Sequence, residues 1–141
     1  MVAALRYLLL IFTLIVLAPG AHAAQPKSIP FVMQMTVGDS DAQRRAFLQI
    51  AKVLEDIGPG KVKIAVVAYE GGITSLLANN NDTATLLASL ARNGVRFKAC
   101  RISMRAHELK EDDFPLEVEF VPAGAPEMVR LQMQGYRYWR P

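Results

Sequence analysis

Cysteine is almost missing from this sequence: Cys100 is the only one in 141 residues. An intrachain disulfide is thereby excluded, and so is any two-cysteine redox motif. Histidine is nearly as scarce, with only His22 and His107, and no pair of histidines or cysteines has a metal-ligand spacing. Neither glycine-rich phosphate-binding fingerprint occurs. Charge of one sign is not gathered into blocks, which removes the concentrated basic face that nucleic-acid binding or charge-driven membrane recruitment requires. Internal repeats and low-complexity segments are absent as well.

The one long apolar run lies at the N-terminus. Arg6 supplies a positive flank, residues 7–17 are apolar, and Ala21-His22-Ala23 follows Pro19-Gly20 as a small-x-small cleavage site. Residues 1–23 are therefore expected to be a secretory signal. The run is shorter than the ~20 residues that span a bilayer, and an uncleaved anchor is the alternative. No cysteine stands near the cleavage site, so lipid attachment there is excluded. Removing 23 of the 141 residues leaves 118, with 15 basic and 13 acidic side chains, the usual size of one domain around one core. The expected product is periplasmic or secreted, without membrane association once the signal is gone. It has a flexible leader at 24–29 and one domain at 30–141.

Residues 29–37 read as a strand. Ser40 and Gln43 have the spacing of a capping box, and Phe47, Ile50, Ala51, Leu54 and Ile57 recur at helical spacing until Gly58-Pro59-Gly60. Residues 61–69 are rich in β-branched side chains and become continuously apolar, as a strand covered on both faces would. Glu70-Gly71-Gly72 is a turn, followed by a short helical piece to Ala78. Asp82 or Thr83 is placed to cap a helix in which Leu86, Leu87 and Leu90 share a face, and Asn93-Gly94 marks its end. Residues 95–100 form a third strand and residues 101–110 a short polar helix. Leu116, Val118 and Phe120 alternate with Glu117 and Glu119 in a half-exposed fourth strand. Pro126 suits the first residue of a last helix, and the aromatic ending 136–141 suits a fifth strand. This alternation predicts a three-layer α/β domain with a mostly parallel sheet.

In such sheets ligands bind beyond the carboxyl ends of the strands. Three segments fall there: residues 36–40, Glu70 to Gly72, and Cys100. Strand periodicity puts Val95, Phe97 and Ala99 on one face and Arg96, Lys98 and Cys100 on the other, with Lys98 roughly 7 Å back along the strand from Cys100. Arg101 is adjacent in sequence. Positive surroundings favour the thiolate, the form that attacks sulfane sulfur or a disulfide. A free cysteine is also among the most buried residue types and packs as a small hydrophobe, so an inert Cys100 is the other reading. Met33 and Met35 share a strand face, where methionine is ordinarily core, and no metal is assigned. Glu117 and Glu119 read as a solvated strand face. Glu70 precedes two glycines that let the backbone approach a ligand, which makes it a candidate acid or base.

Three stretches resemble the DsrE/DsrF-like family of small α/β proteins, particularly its stand-alone members. They are Val66-Val67-Ala68-Tyr69-Glu70-Gly71-Gly72; Gly94-Val95-Arg96-Phe97-Lys98-Ala99-Cys100 with Ser103-Met104; and Val121-Pro122-Ala123-Gly124 through Leu131-Gln132, Gly135-Tyr136 and 138–141. The resemblance covers about residues 30–141. It implies a flavodoxin-like sheet of about five strands, a tendency toward homotrimers or homohexamers, and sulfur held as a persulfide at the position of Cys100; separately, no cofactor is expected. Stand-alone relatives often carry His-Gly where this chain has Tyr69-Glu70, and Asn-Thr where it has Ile102-Ser103.

Cys100 is thus the candidate reactive residue, with Lys98 and Arg101 favouring its thiolate and Glu70, Gly71, Gly72 and Ser103 completing a substrate pocket. The leading expectation is an exported sulfur carrier, rather than a turnover enzyme, that meets a donor or acceptor protein. A non-catalytic oligomeric module with a buried Cys100 is the rival, and a soft-metal carrier using Met33, Met35 or Cys100 is a third reading.

Overall fold

A computed structural model describes residues 27–141. The expected signal segment 1–23 and the first part of the leader lie outside the described residues. Strand β1 (Ile29–Met35) opens the domain and is followed by α1 (Ser40–Ile57), β2 (Val62–Ala68) and a 3-10 helix (Glu70–Leu76). Then come α2 (Ala84–Arg92), β3 (Arg96–Cys100), α3 (Arg101–Ala106), β4 (Val118–Val121), α4 (Gly124–Met133) and β5 (Arg137–Trp139). The five strands form one sheet in the order β4-β3-β2-β1-β5, and every pairing is parallel. No helix among the described residues is long and apolar enough to cross a membrane.

The strand order dictates where the helices go. From β1 to β4 each connection steps in one direction across the sheet, and α1, α2 and α3 pack on one face. The last connection returns from β4 past three strands to β5. A right-handed crossover that reverses direction must cross on the opposite face, so α4 covers that face alone. The larger core joins Met33, Met35, Ile64, Val66 and Phe97 to Phe47, Ile50 and Leu87, while the smaller one joins Val32, Ala65 and Val67 to Met128, Leu131 and Tyr136. Strand β2 contributes to both, which is why its sequence is apolar without alternation. Met33 and Met35 are fully buried, as packing residues.

Several local expectations shift. The N-cap of α1 is Asp39, whose carboxylate accepts from the Ala42 N–H at 2.8 Å, in place of the Ser40–Gln43 capping box. Gln43 points inward and donates to the Val37 carbonyl at 2.8 Å and the Thr74 hydroxyl at 2.9 Å, because buried loop acceptors need a donor there. Thr83 stands at the N-cap of α2, but its hydroxyl donates to the Ser75 carbonyl. Pro126 is the third residue of α4 rather than the first, a position whose missing N–H would still lack a partner within the helix. Leu116 lies before β4 and is fully exposed instead of belonging to it.

One glycine fixes how the 3-10 helix meets β1. A β-carbon on Gly72 would lie 2.1 Å from the Met35 carbonyl oxygen, with backbone on both sides of the clash. Gly72→Ala should therefore cost about 3 kcal/mol or more in a urea titration, as an overpacked site without room to relax. Gly60→Ala, where nothing lies within 4 Å, is the control and should change stability by no more than about 0.5 kcal/mol.

Candidate functional site

Cys100 ends β3 and directly precedes α3, on the face that α4 covers. Its neighbours in the strand divide as the periodicity predicts: Phe97 and Ala99 enter the larger core, while Lys98 faces α4 and meets Glu127. The loop from β4 brings the first residue of α4 onto the sulfur, and the Gly124 N–H donates to Cys100 Sγ at 3.2 Å. Cys100 is only 3% exposed. Burial pushes its thiol up, but the hydroxyl and N–H of Ser103 and the N–H groups of Gly124 and Ile102 outweigh it, and the thiol sits below its ordinary value.

Ser103 is itself held from the next strand. Its oxygen accepts the Glu70 N–H at 2.7 Å, so a hydrogen-bonded line runs from the β2 loop through the hydroxyl to the sulfur. Glu70 adopts φ 51°, the left-handed region that a non-glycine residue rarely occupies. Its carboxylate is exposed, and its part in the site is this backbone donor. Gly71 packs against Gly38 closely enough that a β-carbon would come within 3.0 Å of it, and the Gln43 amide donates to the Gly71 carbonyl at 3.3 Å. The three loops expected at one end of the sheet do converge there, and the β4–α4 loop is a fourth.

The expected cations are present but engaged elsewhere. Lys98 is buried, with Nζ 2.8 Å from Glu127 and 3.3 Å from Glu119. Glu119 also takes both arms of Arg96 at 2.7 Å, and Glu127 takes Arg130 at 3.0 Å. The Arg96 hydrogen bonds, with the charge of Lys98, hold the Glu119 carboxyl below the usual range despite partial burial. Glu119 is therefore an ion-pair partner and not the solvated residue that alternation suggested. Arg101 pairs with Glu111 and lies over the Phe120 ring. The thiol is lowered by N–H and O–H donors, and Lys98 and Arg101 spend their charge on carboxylates.

Two residues beside the sulfur had no assigned role in the sequence reading. Ala68 pairs with Ala99, which puts Tyr69 level with Cys100 on the next strand. Gly124 is the other, and a β-carbon there would lie 2.6 Å from the Tyr69 ring. The Tyr69 hydroxyl accepts from the Gln34 amide, whose oxygen accepts from Tyr138 at 2.7 Å. Burial holds the Tyr69 phenol above its ordinary value. Tyr69 was signalled by position, as the first residue beyond β2, whereas Gly124 stands three residues past the end of β4 and meets the sulfur only through the fold. Among the described residues no group of three or more His, Cys, Asp or Glu side chains could hold a metal ion.

The model of the DsrE/DsrF-like family matches residues 27–140. The chain belongs to the DsrE/DsrF-like family. Among solved structures it is similar to a protein of unknown function from Methanobacterium thermoautotrophicum, 28% identical over 81% of this chain and 100% of that one, with a TM-score of 0.74. No curated protein matches. The five-stranded parallel sheet and its two helical layers are thus the DsrE-like α/β architecture.

Because donors rather than cations set the thiol, Ser103→Ala should raise its titration, followed by thiolate absorbance against pH. The folded value lies below the unfolded one, so ionisation adds stability that is fully present above the unfolded value and lost as pH falls through the folded one. Ser103→Ala should shrink that increment. Lys98→Met should leave the titration in place yet cost about 3 kcal/mol of stability, since it strips a partner from the buried Glu127 carboxylate.

Proposed function

We propose that this is an exported sulfur-binding domain of the DsrE-like type, in which Cys100 accepts sulfane sulfur and holds it as a persulfide. The observation that carries the reading is the set of donors around Cys100, which stabilises an anionic sulfur without a neighbouring free cation. Family membership supports a sulfur-relay type of fold. The apolar segment and cleavage site at the N-terminus support export to the periplasm or beyond the cell.

The chemistry needs no added oxidant. The Cys100 thiolate attacks the terminal sulfur of a polysulfide, or the outer sulfur of thiosulfate. A new S–S bond forms as the old one breaks, and the leaving group departs with the electron pair as a shorter polysulfide or as sulfite. The thiol proton has already gone to solvent, so the product is the Cys100 persulfide anion, held where the thiolate was. Release to an acceptor thiol is the same step in reverse. The domain is a carrier in this reading, and the family resemblance supports a homotrimer or homohexamer.

A second reading has one observation in its favour. At 3% exposure, with its sulfur bonded to the Gly124 N–H, Cys100 would also serve as a buried cap that ties α4 to β3. Intact mass separates the two. After incubation with polysulfide, the mature protein should gain ~32 Da that dithiothreitol removes, and Cys100→Ser should gain nothing. No gain, or an equal gain in the serine variant, favours the buried cap.

A further inference from the structure

The Cys100 sulfur is shielded although polar groups surround it, so something must govern its access to solution. Tyr69 is placed to do so. It is level with Cys100 in the parallel register and follows the last residue of β2. Its ring lies against the α-carbon of Gly124, so near that a β-carbon there would sit 2.6–2.7 Å from three ring and side-chain atoms. The N–H of that same glycine donates to the sulfur. Sulfur, glycine and ring therefore form one contiguous stack at the end of the sheet.

What holds the ring is equally specific. The Gln34 side chain from β1 donates its amide hydrogen to the Tyr69 hydroxyl, and its oxygen accepts from Tyr138 on β5. Val32 pairs with Tyr138, which places Gln34 and Tyr138 on the α4 side of the sheet together with Tyr69. Tyr138 is largely exposed and Tyr69 is half-buried, so this three-residue line runs from the surface inward to the thiol. A ring that has one polar contact at its tip, rests on a residue without a side chain and is only half-buried at the edge of the smaller core can turn aside at the cost of that contact and part of its apolar packing.

We infer that the Tyr69 ring is a movable cover over Cys100, that Gln34, braced by Tyr138, is the latch that keeps it closed, and that Gly124 is the seat on which it closes. The inference rests on Cys100 being the working residue of the proposed function, and it names what limits the donor. A slot one ring wide admits a slim, unbranched sulfur chain such as a polysulfide or an alkyl persulfide, and it slows a bulky reagent. Tyr69 acts through access, as a positioning residue, and takes no part in bond making.

Alkylation rates of the native full chain test this, with iodoacetamide as the slim probe and a fluorescein maleimide as the bulky one. Tyr69→Ala should raise labelling by about tenfold or more and narrow the gap between the probes, because the closed state is lost. Tyr69→Phe and Gln34→Leu should each raise it about fivefold, the shift expected when one hydrogen bond no longer favours the closed state. The Gln34→Leu/Tyr69→Phe double variant should be no faster than either single, since both remove the same contact. Leu87→Ala, which leaves a cavity in the larger core on the opposite face of the sheet, is destabilised without touching α4 or the cover and should label at the wild-type rate. The inference is overturned if Tyr69→Ala labels like wild type, if the double variant is additive, or if acceleration simply follows loss of stability and Leu87→Ala shows it too. Sulfur loading, weighed on the same proteins, is a separate readout. Accelerated alkylation without a gain of sulfur keeps the cover and sinks the sulfur chemistry, and the opposite pattern does the reverse.

Discussion

A backbone N–H from one side of the sheet donated to a sulfur atom at the end of a strand is the contact on which this molecule's site depends. Gly124 and Cys100 are 24 residues apart, on the connection after β4 and at the end of β3. They meet because the return path to β5 crosses on the face that the earlier helices leave open. Had the last crossover packed with α1 and α2, the sulfur would face water or another side chain instead of a preset donor. The polarity around Cys100 is thus a consequence of strand order.

The surroundings of the thiol follow a consistent economy of charge. A cation near the sulfur would be the simplest way to favour a thiolate, and the strand does present Lys98 on the correct face. That lysine is buried between β3 and α4, where an unpaired ammonium would be costly, and Glu119 and Glu127 neutralise it. The Lys98–Glu127 pair fastens α4 to the sheet, while Arg96 joins Glu119 within the sheet and Arg130 joins Glu127 within α4. Fixed dipoles then do what the free charge cannot: they are already oriented and have no counter-ion to shed.

Close approach of backbone is the second constraint on the site. Gly72 against Met35 and Gly124 against Tyr69 each leave no space for a β-carbon, and Glu70 accepts a left-handed backbone so that its N–H can reach Ser103. Tyr69 places its ring against Gly124, whose N–H donates to the thiol, and Glu70 keeps a conformation that glycine would adopt freely.

Much of the fold was legible in the residues themselves. Continuous apolarity in residues 61–69 announced a strand buried on both faces, and alternation in residues 95–100 separated Phe97 and Ala99 from Lys98 and Cys100, because side chains at period two must take opposite faces of a pleated strand. The five strands, the stop at Gly58 and the loops gathering at one end of the sheet were readable for the same reason: each is a local pattern. Which residue captures a given donor was not. Asp39 rather than Ser40 caps α1, Lys98 answers to Glu119 and Glu127 rather than to the thiol, and Gln34, Tyr69, Gly124 and Tyr138 join one chain of contacts from four different parts of the sequence. Sequence by itself determined the layers and the candidate thiol, since these follow from spacing and burial along a single segment. Only the tertiary structure decided the partners of that thiol, since long-range contacts are set by strand order and by which face the last helix crosses.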